Sequence, residues 1–131
     1  ALEAALHRRG VPFDASHILQ TVASMDAGDK LADSLVKVCP KGSALVCFND
    51  LCAIGVLRGL FRLNLRVPED YSVVGFDNIE INPFPLTTVN IPEYDMATAA
   101  AEMLFNAIEN PTAPPAKVCY SVNLVEKQSV R

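Results

Sequence analysis

No apolar run in this 131-residue chain approaches the roughly 20 residues that a helix needs to cross a bilayer. There is no surplus of positive charge either. Eleven Lys and Arg stand against fifteen Asp and Glu, a net charge of −4. Direct binding of nucleic acid needs clustered cations to neutralise phosphates, so any DNA contact must come from outside these residues. The usual enzyme signatures are missing: no G-x-S-x-G, no P-loop, no G-x-G-x-x-G and no H-E-x-x-H. With no nucleophile or histidine placed beside a carboxylate, the chain does not read as an enzyme. Its four cysteines, Cys39, Cys47, Cys52 and Cys119, form no C-x-x-C pair, and His7 and His17 add no ligand spacing. We therefore expect no metal and no cofactor. Several free thiols suit a reducing cytoplasm. No secretory signal is legible at the start. The opening ALEAALHRR is helix-forming, and the chain reads as one cut from a longer protein or processed at its terminus.

What is present is ordinary globular material. Half the residues are hydrophobic and a fifth charged, enough for one modest domain with a real core. The pattern predicts a helix over residues 1–9 stopped by Gly10, then a strand over His17–Val22. A helix capped by Asp29 follows, carrying Leu31, Leu35 and Val38 on one face. ALVCF (residues 44–48) and YSVVGF (residues 71–76) are short continuous apolar runs of the kind buried on both faces of a parallel sheet. Between them lies a helix over Leu51–Leu63, with Asn64 as a left-handed terminator. Residues 79–85 are irregular, and 86–90 form a short extended segment. Pro92 opens a long helix with Met96, Ala100, Met103, Leu104, Ala107 and Ile108 at helical period. Val118–Val125 reads as a last strand. Strands alternating with helices give an α/β fold with a mostly parallel sheet flanked by helices.

In open α/β sheets, ligands bind beyond the carboxyl ends of the strands. Asn49-Asp50 and Asp77-Asn78 follow the two apolar strands, so parallel strands bring both pairs to one edge. Asn49 offers an amide donor and acceptor, and Asp77 an acceptor, for the hydroxyls or amine of a small polar ligand. Each residue also has a purely local reading. Asn49 is an excellent helix N-cap, Asp77 could form an Asx turn, and Asp50 suits the first turn of a helix as an anion.

The helix after Asn49 is apolar over most of its circumference. Ala53, Val56, Leu60 and Leu63 form one stripe; Ile54, Leu57 and Phe61 widen it onto a second face. Such a helix is buried on several sides. The second face is either deep core or an interface with another subunit or subdomain.

These residues resemble the LacI/GalR regulators. Three phrases carry the likeness: Asn49-Asp50 followed by Ala53-x-Gly55, Val67-Pro68-Glu69-Asp70 leading into VVGFD, and Leu86-Thr87-Thr88-Val89. Leu124–Ser129 (LVEKQS) resembles the family's closing strand, with Lys127 where Arg is common. The resemblance implies a partial periplasmic-binding-protein-like (type I) fold. Residues 1–131 would be part of the effector-binding core, mainly its C-terminal subdomain, with 79–95 crossing toward the N-terminal one. It also implies a cytoplasmic homodimer that senses a sugar or nucleoside-like effector. Operator DNA would be bound through an N-terminal helix-turn-helix that these residues do not include. By the same match, Asn49 and Asp77 fall on ligand-contacting positions. Ile54 falls in the dimerising helix with Leu57 on its widened face, and Phe84 falls near that interface. Ile91 departs from the family, standing where a Gln is common. A periplasmic sugar-binding protein of an uptake system is the alternative on the same fold.

Overall fold

The computed structural model describes residues 2–80 and 83–131. Position 1 of the expected first helix and positions 81–82 of the irregular segment lie outside the described residues. Three strands run parallel: β1 (Ala44–Val46), β2 (Ser72–Asp77) and β3 (Thr87–Asn90). A fourth, β4 (Asn123–Val125), lies antiparallel to β3, and the sheet order is β1-β2-β3-β4. The register Val46↔Val74 and Asp77↔Asn90 fixes where the strands end. The helices are α1 (Leu2–Arg8), α2 (Met25–Val38), α3 (Asp50–Arg62) and α4 (Glu93–Glu109).

The core lies between α3 and the sheet, with α2 packed on α3. Val56, Leu60, Val73 and Leu86 are its largest fully buried members, joined by Leu35, Leu45 and Tyr71. The Tyr71 hydroxyl donates to the Cys39 carbonyl at 2.9 Å, so the buried phenol keeps a partner. α2 and α3 touch backbone to backbone. A Cβ on Gly55 would run into the Met25 carbonyl and the Gly28 Cα, and one on Gly28 would meet the Cys52 carbonyl. Above this crossing, Arg58 reaches Asp26 and Asp29, and Arg62 reaches Asp29 and Asp33.

Several expectations hold. α3 covers the predicted span to within a residue, and Asn64, just past its cap at Leu63, adopts the left-handed φ of 57°. The closing LVEKQS segment supplies β4, and then wedges Ser129 between β2 and β3. The Ser129 hydroxyl donates to the Val73 carbonyl at 2.6 Å and accepts from the Thr87 N–H at 2.7 Å.

Others are corrected. Residues 17–22 are not a strand: a 3-10 turn covers Ala15–His17 and the remainder is coil, with Val22 69 % exposed. β-propensity is a preference for a half-buried pleated surface, and here no described strand pairs with these residues. α2 starts four residues before the predicted cap. Ser24 caps it by accepting from the Ala27 N–H at 3.2 Å, and Asp29 is left free to hold Arg58 and Arg62. The last strand shortens to three residues. α4 has the predicted period, yet none of its residues is buried among the described ones, and Leu104, Phe105 and Ile108 are exposed.

Candidate functional site

Parallel β1 and β2 end side by side, so Asn49 and Asp77 leave the sheet at the same edge. Asn49 sits in extended backbone just before α3, and its Oδ1 accepts from the Cys52 N–H at 2.9 Å. The local reading of Asn49 is therefore satisfied. It uses only the carbonyl end of the amide, and Nδ2 makes no hydrogen bond among the described residues.

Asp77 ends β2 with a φ of 111°, and Asn78 follows at 58°. Two successive left-handed residues turn the chain sharply off the sheet. The Asp77 carboxylate accepts no hydrogen bond among the described residues. Its pKa is raised, first by burial and then by the negative charges of Asp50 and Glu93. Such a group gains from any ligand that brings donors.

Asp50 stands in the first turn of α3, as its local reading expects, and is wholly buried there. Its Oδ1 accepts from the Thr88 hydroxyl at 2.7 Å and its Oδ2 from the Ile79 N–H at 3.0 Å. A Cβ on Gly75 would collide with that carboxylate, so the glycine inside β2 makes room for it. Asp50 thus ties the start of α3 to β3 and to the turn that follows Asp77.

Asn78 extends the network. Its N–H donates to Thr88 Oγ1 at 3.3 Å and its Nδ2 to Asn90 Oδ1 at 3.0 Å. Asn90 Nδ2 in turn donates to Asn123 Oδ1 at 3.2 Å. Polar side chains therefore run along the carboxyl ends of β2, β3 and the neighbouring start of β4. Asn90 places an amide one residue before Ile91. The signal that could have found these residues was the polar end of the TTVN strand.

The other predicted residues lie away from this edge. Ile54 and Leu57 belong to the core cluster, 4 % and 7 % exposed. Leu57 also lines an open groove of about 460 Å³ together with Phe61, Val67, Phe84 and Pro85. Phe61 is 80 % exposed there. Among the described residues no three His, Cys, Asp or Glu side chains gather to hold a metal, and no helix is long and apolar enough to cross a membrane.

A parallel sheet with paired polar groups at one carboxyl edge defines a ligand-binding core of the α/β kind. Comparison with known proteins makes this specific. The family model described as periplasmic binding protein-like domain matches residues 1–130. The chain belongs to that family, as part of the effector-binding core of the LacI/GalR type. The HTH-type transcriptional repressor CytR of Escherichia coli (strain K12) is 34 % identical over 108 residues, 80 % of this chain and 32 % of that protein. A LacI family transcriptional regulator from Enterococcus faecium, solved with bound ribose, superposes with a TM-score of 0.87 at 27 % identity, over 98 % of this chain and 48 % of that one. The complex of transcriptional regulator CelR with cellobiose gives 0.88 at 28 % identity, over 97 % and 40 %. The chain spans about a third of the length of the curated relatives it matches.

Proposed function

We propose that these residues are the effector-sensing and dimerising part of a cytoplasmic transcriptional regulator that binds a sugar. Asn49 and Asp77 are the ligand contacts. Asn49 donates through Nδ2 while its Oδ1 caps α3. Asp77 accepts from sugar hydroxyls, which supply the donors its carboxylate lacks. The observation that carries this reading is the delivery of both side chains to one sheet edge by parallel strands. Neighbours solved with ribose and cellobiose support a sugar as the ligand class.

In the whole protein, the sugar bridges this edge to a second subdomain, toward which residues 79–95 cross. Binding favours the closed arrangement only by the difference in affinity between the two states. A helix-turn-helix elsewhere in the longer chain contacts operator DNA, and the coupling is reciprocal: a sugar that weakens DNA binding is itself weakened by DNA. The regulator is a homodimer through exposed Phe61 of α3 together with Phe84, with Ile54 and Leu57 packed in the core behind them. No reaction is catalysed, and neither a membrane nor a cofactor is involved. The regulator is favoured over an uptake protein because the relatives that match are transcriptional regulators.

The test is calorimetry on the full-length protein with ribose, cellobiose and their isomers. Saturable binding of at least one sugar, abolished in Asp77→Ala, supports the assignment. Unchanged affinity in that variant refutes it.

A further inference from the structure

Asp77 presents its carboxylate from an unusual backbone. Its φ of 111° and the 58° of Asn78 both lie where a residue with a Cβ is disfavoured. Neither is a glycine, and an ordinary extended φ at Asp77 would aim the carboxylate elsewhere. Such a turn persists only where its surroundings hold it. The Asn78 N–H donates to Thr88 Oγ1 at 3.3 Å, and the Ile79 N–H donates to Asp50 Oδ2 at 3.0 Å. The two acceptors are themselves joined, because the Thr88 hydroxyl donates to Asp50 Oδ1 at 2.7 Å.

We propose that Thr88 and Asp50 are positioning residues for ligand binding, which together clamp the Asp77-Asn78 turn and so hold the Asp77 carboxylate in its binding geometry. The inference rests on the reading of Asp77 as a sugar contact. Neither clamp residue touches the sugar: both are 0 % exposed.

Three elements build the clamp. Asp50 opens α3, Thr88 lies in β3, and the turn leaves the end of β2. The sheet register sets Thr88 beside Gly75, the position whose Cβ would collide with Asp50 Oδ1. The buried carboxylate thus occupies room that any other residue at 75 would fill. The Thr88 hydroxyl is used in both directions, giving its one proton to Asp50 and accepting from Asn78. Valine has nearly the shape of threonine and suits a strand equally well, so packing alone does not call for that hydroxyl. A side-chain bond from Asn78 Nδ2 to Asn90 Oδ1 at 3.0 Å is a further tie between the turn and β3. Without the hydroxyl, the Asn78 N–H loses its acceptor and the Asp50 carboxylate loses one of its donors. The turn then relaxes toward ordinary φ and carries Asp77 with it. The loss falls on affinity as well as stability. A residue that only supports the fold lowers stability and leaves the affinity of the folded molecules unchanged.

The experiment uses the full-length protein, with thermal unfolding and calorimetry against ribose and cellobiose. Thr88→Val should weaken sugar binding by roughly tenfold or more, the scale of one lost hydrogen bond to a charged group. Thr88→Ser keeps the hydroxyl and binds close to the parent. Leu35→Ala, a core variant in α2, lowers Tm and leaves affinity at the parent value. If Thr88→Val lowers Tm yet binds as the parent does, the positioning role is overturned. Should that variant not fold, Asn78→Ala tests the turn from its partly exposed side. Alanine holds a positive φ poorly and lacks the amide, so binding weakens. Glycine is at ease there, so Asn78→Gly binds more tightly than Asn78→Ala. Parent-like binding in both overturns the proposal. If neither sugar binds the parent, the sugar reading fails by itself, and crystal structures decide the clamp. The Asp77 φ should leave the positive region in Thr88→Val and keep it in Thr88→Ser. An unchanged turn in Thr88→Val overturns the proposal.

Discussion

Two carboxylates at the head of α3 and the end of β2 have opposite tasks. Asp50 is spent internally, on Thr88 and the Ile79 N–H. Its removal in Asp50→Ala takes the acceptor from a buried hydroxyl and from a part-buried N–H. Each charge-assisted hydrogen bond is worth about 1.5–3 kcal/mol, so chemical denaturation should report a loss of roughly 3 kcal/mol or more. Asp77 is unspent, and its folded-state pKa is raised. Between its ordinary value and the raised one, the folded chain holds a proton that the unfolded chain has released, so stability falls as pH rises through that window. At neutral pH the charge therefore costs stability, and Asp77→Asn should raise Tm while removing sugar binding. The same shift makes sugar affinity weaken as pH falls through the raised pKa, which calorimetry across mildly acidic pH would detect. The strand-end positions of Asn49 and Asp77 were readable because a strand-end rule needs only local sequence. The first-turn place of Asp50 was readable too, but its burial was not, because its partner Thr88 lies 38 positions away, beyond any local pattern.

The elements were legible where a run of residues dictates its own burial. β1, β2 and α3 follow their apolar runs closely. Failure came where tertiary contact decides. α2 carries Gly28 inside its first turns because Gly55 of α3 lies against it, and a glycine read alone looks like a helix breaker. Gly55→Ala would force the two helices apart. It should cost about 1–3 kcal/mol, as overpacking does, in thermal or chemical unfolding. Arg62→Ala, by contrast, breaks partly exposed ion pairs with Asp29 and Asp33. Surface pairs contribute about 0–1 kcal/mol each, so that variant should unfold almost as the parent does. Residues 17–22 failed as a strand, and α4 formed as expected without burying its apolar face, for one reason: period and propensity say which face is apolar, not what covers it.

Viewed whole, the chain is a sheet whose carboxyl edge is polar and whose α3 flank is apolar. The first is the proposed ligand site and the second the proposed interface. Phe61 and Phe84 line the groove on that flank. In the full-length protein, Phe61→Glu would put a charge into the proposed dimer contact, and sedimentation should show monomers where the parent sediments as a dimer. The family likeness was readable from three short phrases. Which sugar is bound was not, because half of the proposed cleft is supplied by residues outside this chain. The most direct measurement is a crystal structure of the full-length protein soaked with the sugar that calorimetry selects. The Asn49 amide and the Asp77 carboxylate should both lie within hydrogen-bond reach of its hydroxyls. A sugar seated elsewhere, with either side chain turned away from it, would contradict the account.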